Sequence, residues 1–279
     1  MSTLFTGISE LRTVSERGTL NDAALVAESG TISWIGPASE APAADEKVDL
    51  GGRAVLPGWV DSHTHMVFDG DRSAEFEARI SGGSYEAGGI AVTMDATRQA
   101  GTDRLDQLVA DRVAAGRRGG TTTFETKTGY GLNTESEVEA ARVASQHVDD
   151  VTFLGAHLVP PGADAEDYLD EVVGPMLDGV AEYVQWIDVF CEPNSTYAFT
   201  GEESRRVLEA GAAAGAPGRC ACGSITRKGQ DGCGRAQAGQ RTGRGVGDLE
   251  AEGVAVEGGR SGDVVRGDDG VEAGDGHDV

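Results

Sequence analysis

The rhythm of apolar and polar positions changes several times along the chain. Ala23 to Ala27 is apolar, Glu28-Ser29-Gly30 has turn chemistry, and Thr31 to Ile35 is apolar again. That pattern predicts a β-hairpin, and residues 1–50 as a whole predict short strands and turns of a small β-rich domain. A continuous apolar run follows, Ala54-Val55-Leu56-Pro57-Gly58-Trp59-Val60. It predicts a buried strand that delivers Asp61-Ser62-His63-Thr64-His65 at its end.

Strand and helix patterns then alternate. Leu105, Leu108, Val109, Arg112 and Val113 recur at helical spacing. Gly120 to Glu125 is β-branched and predicts a strand, as do Val151 to His157 and Tyr183 to Cys191. Thr134 with Glu137, and Thr200 with Glu203, have the spacing of capping boxes, so a helix is expected to begin at each, the second running to about Ala214. Such alternation predicts parallel strands with crossover helices, residues 51–217 forming part of a (β/α)8 barrel. Ionisable residues gather at the C-terminal strand ends, where barrels of this kind build their sites.

After Pro217 no period survives. Residues 218–279 include many glycines, no Phe, Tyr or Trp, and only Ile225 and Leu249 among the larger aliphatics. A segment so poor in apolar surface cannot offset its ordering entropy and is expected to be disordered.

Composition narrows the field. A formal net charge of −24 over 279 residues argues against nucleic acid or an anionic membrane as partner. Lysine stands only at Lys47, Lys127 and Lys228, arginine supplying the rest of the 23 basic residues. A halophilic source and a high-GC coding bias both give that skew. No signal-peptide pattern and no run of 18 apolar residues is present, so the cytoplasm is the expected compartment. Cys191, Cys220, Cys222 and Cys233 fit neither a paired zinc pattern nor a disulfide scaffold, and are read as incidental.

His63 and His65 carry the sharpest chemistry. Residues i and i+2 of a strand point to one side, so two imidazoles there can converge on one metal ion; neutral imidazole suits zinc or iron. Taken alone, other residues favour structural roles. Arg72 fits a surface salt bridge, Tyr130 a turn aromatic between two glycines, and His157 a satisfied core histidine. Glu125 and Lys127 face one way and fit an ion pair. His147 fits a helix-end cation.

Pro57 to His65 resembles the first-strand motif of the amidohydrolase superfamily. Val67 to Phe76, Tyr85 to Ile90, Lys127 to Leu132, Phe153 to His157 and Val189 to Glu192 are similar to the imidazolonepropionase family, in order, over residues 1–217. The resemblance implies a TIM-type (β/α)8 amidohydrolase barrel, truncated here to about its first half, with a small N-terminal β-rich domain. It implies one divalent metal ion, zinc or iron, on His63 and His65. It implies hydrolysis of the ring amide of 4-imidazolone-5-propanoate to N-formimidoyl-L-glutamate. It makes Arg72 the candidate for the substrate's propionate, through bidentate pairing, and Tyr130, His157 and, more weakly, Tyr85 substrate contacts. A homodimer is compatible with it.

The chain also departs from that family. The resemblance leads one to expect a metal-binding histidine on the fifth strand, a further histidine on the sixth, and an aspartate on the eighth acting as base. The catalytic base and remaining ligands have no counterpart here. Where a form like Val-x-Val-His-Ala is expected, the chain reads Gly218-Arg219-Cys220-Ala221-Cys222. Codons for that pentapeptide, read one base further on, allow Val-x-Val-His-Ala. The same shift over Ala236 to Gly247 allows a sequence like the family's next helix. A frameshift near Pro217, an inactive product, another cyclic-amide hydrolase or deaminase, and a non-functional fragment are the expectations to weigh.

Overall fold

A computed structural model describes residues 1–71, 73, 88–192, 198–216, 218, 221 and 222. Of 88–91, 221 and 222 it describes the backbone only. Arg72, Tyr85 and nearly all of 218–279 lie outside the described residues. The chain divides into two compact units, the first holding residues 1–57.

In the first unit β1 (Ser2–Arg12), β2 (Thr19–Glu28), β3 (Thr31–Pro37) and β4 (Glu46–Val55) form one sheet in the order β3-β2-β1-β4. β2 and β3 make the hairpin expected from the sequence, Glu28 standing opposite Thr31, with Ser29 and Gly30 both at positive φ in the turn. β1 pairs antiparallel with β2 and parallel with β4. Ile8, Leu11, Ala23 and Leu25 form the core of one face.

The second unit holds a parallel sheet in the order β5-β6-β7-β8-β9: β5 (Trp59–Thr64), β6 (Thr121–Lys127), β7 (Asp150–Ala156), β8 (Trp186–Cys191) and the two-residue β9 (Ala221–Cys222). Its helices are α1 (Gly88–Ala100), α2 (Thr102–Arg118), α3 (Thr134–Ala144), α4 (Ala165–Glu171), α5 (Leu177–Val180) and α6 (Gly201–Ala213). All pairings are parallel, so the expected crossovers are present. Phe124, Phe153 and Ile187 from the sheet pack with Val109, Val113, Val143, Leu169, Met176 and Val207 in one core. Each such burial contributes about 1.5–3 kcal/mol. β7 and β8 are buried nearly throughout, as strands covered on both faces should be. The second unit is thus a parallel α/β sheet of the half-barrel kind, and the first a separate β-rich sheet.

Three expectations need correction. The apolar run Ala54 to Val60 is not one strand: Leu56, Pro57 and Gly58 break it, β4 ending in the first sheet and β5 opening the second. Proline removes a ladder donor and restricts the residue before it, so continuous pairing stops there. Nor is β5 buried; it lies at a sheet edge, with Trp59 63% and Val60 58% exposed. Finally, Thr134 and Glu137 do not form a capping box. Asn133 caps α3, its side chain accepting from the Ser136 N–H, while Thr134 bonds Glu171. The Thr200–Glu203 box is present as expected.

Candidate active site

Three segments of the second unit carry the described candidate residues: the end of β5 with the residues after it, the loop after β6, and the end of β7. β5 is fixed on β6 by Thr64, whose hydroxyl donates to the Glu125 carbonyl at 2.6 Å and whose N–H reaches the Glu125 carboxylate at 3.3 Å. The Met66 N–H donates to Thr126 Oγ1 at 2.8 Å. Arg112, in α2, donates one nitrogen to the carbonyls of Met66 and Phe68 at 2.6 and 2.7 Å, and its guanidinium lies 3.8 Å from the Phe68 ring centre. In the sequence Arg112 shows only as a position at helical spacing; nothing there signals that it ties down the stretch after His65.

The imidazoles of His63 and His65 stand edge to face, centroids 5.4 Å apart. Two imidazoles bound tetrahedrally to one ion at about 2.0–2.1 Å would put their centroids roughly 5 Å apart. The centroid spacing is thus compatible with two positions of a metal site. Among the described residues no group of three or more His, Cys, Asp or Glu converges to complete it. His65 also stands edge-on to Tyr130, centroids 6.0 Å apart, and Tyr130 lies 5.3 Å from Phe68. The sequence places Tyr130 and His65 far apart in the chain; the fold joins them in one row of rings.

Tyr130 sits in the tight loop its flanking glycines suggest. Gly129 has φ +114°, and a Cβ there would come within 2.7 Å of the Leu154 carbonyl oxygen, so only glycine fits. His157, just beyond β7, faces the Gly129 carbonyl through Nε2. A carbonyl only accepts, so Nε2 carries the proton and Nδ1 is the acceptor.

Beneath these groups lies a buried ion cluster. Lys127 Nζ is 3.0 Å from Glu125 and 3.0 Å from Asp188, and the Thr152 hydroxyl donates to Glu125. The Glu125–Lys127 pair is the one expected from their shared strand face. Asp188 joins from β8, two strands away, and its place is legible only in the fold. Cys191 is buried and forms no disulfide. His147 is held 2.8 Å from Asp106.

Burial pushes the His65 imidazole down to about 4, helped by His63, His157 and Lys127 nearby. Burial also lowers His157. Both rings are therefore neutral near pH 7, the form that binds a metal. Because folded-state values lie below the unfolded value near 6.5, the folded chain binds fewer protons. The stability from these rings is complete above about pH 6.5 and is lost as pH falls towards about 4. Urea midpoints should fall over that window, and His65→Ala should flatten the slope against pH. An unchanged slope in the variant would contradict the assignment.

No family model matches the chain. Individual relatives do. The imidazolonepropionase of Micrococcus luteus is 63% identical over 220 residues, 77% of this chain and 54% of the relative. That of Arthrobacter sp. (strain FB24) is 60% identical over 211 residues, 75% of this chain and 52% of the relative. The chain thus spans about half the length of the curated relatives it matches. Among solved structures, a Xaa-Pro dipeptidase (16% identity) covers 85% of this chain and 60% of its own, with TM-score 0.54. An amidohydrolase (14% identity) covers 85% and 59%, with TM-score 0.53. At such identities the structures speak for the fold alone.

Proposed function

We propose a function from the premise that this chain resembles the imidazolonepropionases over about three quarters of its length. It carries the metal-proximal and substrate-proximal first half of an enzyme that hydrolyses the ring amide of 4-imidazolone-5-propanoate to N-formimidoyl-L-glutamate. The observation that supports this most is the row His63, His65, Tyr130, in which residues from two separate motifs of the resemblance meet.

His63 and His65 would hold one divalent ion, zinc or iron. When bound, such an ion lowers the pKa of water and polarises a carbonyl. The chain's own residues do the rest. Tyr130 presents a ring and a hydroxyl beside His65. His157, neutral and donating at Nε2 to Gly129, offers Nδ1 as an acceptor for a substrate N–H. Arg72 would pair with the propionate and Tyr85 would line the same region; both lie outside the described residues. The substrate is a small molecule rather than nucleic acid or a membrane, the setting cytoplasmic, and a homodimer compatible. No helix among the described residues is long and apolar enough to cross a membrane.

In this chain the site is incomplete. Gly218 bridges Ile187, and Ala221–Cys222 pairs beside Phe190–Cys191. That backbone lies where a next barrel strand would lie. Read one base on, the codons there would put a histidine at Ala221. We attribute the loss of the expected ligands and base to a frameshift near Pro217, and expect turnover of 4-imidazolone-5-propanoate by the purified chain to be undetectable. Turnover with tightly bound stoichiometric metal would refute the inactivity. Resequencing that finds no single-base change restoring Val-x-Val-His would refute the frameshift. The rival family assignment, a different cyclic-amide hydrolase or deaminase, is disfavoured by Arg72 and Tyr130, which the resemblance ties to this substrate.

A further inference from the structure

Tyr130 is carried by the short loop Gly129 to Leu132, and the backbone of that loop is held by opposite charges. From α3, the carboxylate of Glu137, with 0% exposure, accepts the N–H groups of Gly129, Gly131 and Leu132 at 2.9, 2.7 and 2.9 Å. From α1, the Arg98 guanidinium donates to the carbonyls of Gly131 and Leu132 at 2.6 and 3.1 Å. From the end of β7, His157 takes the Gly129 carbonyl. Side chains from three elements therefore engage the N–H and carbonyl groups of Gly129, Gly131 and Leu132.

The loop's conformation explains why the donors converge. Gly129 at φ +114° and Leu132 at φ +50° turn their neighbouring amides inward, making a concave set of donors of the kind that binds anions. Here the anion is the chain's own. Burying a carboxylate costs several kcal/mol unless it is fully hydrogen-bonded, and an apolar side chain at the same position would avoid that cost. What the carboxylate adds is direction: a fixed backbone, and hence a fixed Cα–Cβ vector for Tyr130. That ring stands between His65 and Phe68, and Phe68 is in turn backed by Arg112.

We propose that Glu137 and Arg98 are positioning residues, a charged clamp that fixes Gly129–Leu132 so that the Tyr130 ring stands beside His65 to meet a nitrogen heterocycle bearing a carboxylate. The last clause rests on the function proposed above; the clamp itself does not.

The test is NMR of the full chain, reading the ring-to-ring contacts Tyr130–His65 and His63–His65 with amide exchange. Glu137→Gln turns half of the acceptor into a donor facing N–H groups. Amide protection at Gly129, Gly131 and Leu132 should fall by about tenfold, and the Tyr130–His65 contact should vanish. The His63–His65 contact and the amides of β6 and β7 should persist. Selective loss of this kind separates positioning from general destabilisation. Arg98→Met, on an exposed side chain, should give the same selective loss from the carbonyl side, and it decides the matter if Glu137→Gln does not fold. A Tyr130–His65 contact retained in a folded variant overturns the clamp. In a separate arm, imidazole-4-propanoate titrated into the zinc-loaded wild-type chain should shift the Tyr130 resonances, and bind about tenfold more weakly to either variant. No shift in the wild type overturns the substrate role of Tyr130, while the ring contact still judges the clamp.

Discussion

Replacing Lys127 by methionine is expected to destabilise the second unit by about 3–5 kcal/mol, the cost of leaving buried charge uncompensated. Lys127 is 2% exposed, and both Glu125 and Asp188 lie 3.0 Å from its ammonium. Methionine nearly matches its volume, so packing changes little and the loss is electrostatic. Two carboxylates would then face each other without the cation between them. Urea unfolding of wild type and variant near pH 7 reads the loss. A loss below about 1 kcal/mol, the worth of an exposed pair, would show that the cluster is solvated and its geometry misassigned.

The second large effect concerns metal. His65→Ala should weaken zinc binding by more than the roughly 10–100-fold that losing an outer partner of a ligand costs, since it removes one of the two imidazoles that stand together. His63→Ala should do the same. His147→Ala should not, because that ring is engaged with Asp106. Competition against a chromophoric chelator measures all three. With His65 titrating at about 4, protons should not compete appreciably for that ring until the solution is well below pH 6. Equal affinity in wild type and His65→Ala would remove the metal assignment and, with it, most of the functional proposal.

Both predictions show how far local pattern reaches. The sequence by itself determined the alternation of parallel strands and helices, because periods of 2 and 3.6 are local properties of the chain. It determined the hairpin at Glu28–Thr31, the Thr200–Glu203 cap, and the Glu125–Lys127 pair, each a relation between residues a few positions apart. It also singled out His63 and His65 by their i, i+2 spacing, and their rings stand 5.4 Å apart although β5 ends at Thr64.

What only the tertiary structure decided involves partners distant in the chain. The exposure of β5 follows from its place at a sheet edge, which an apolar run cannot disclose, and the break at Leu56–Gly58 sends one run into two sheets. Asp188 reaches Lys127 because β6, β7 and β8 lie side by side. Glu137 looks like half of a capping box until the loop folds over it and offers three amides in place of one. Hydrogen-bond energy depends on where donors arrive in space, and spacing along the chain fixes that only within a turn or a strand pair.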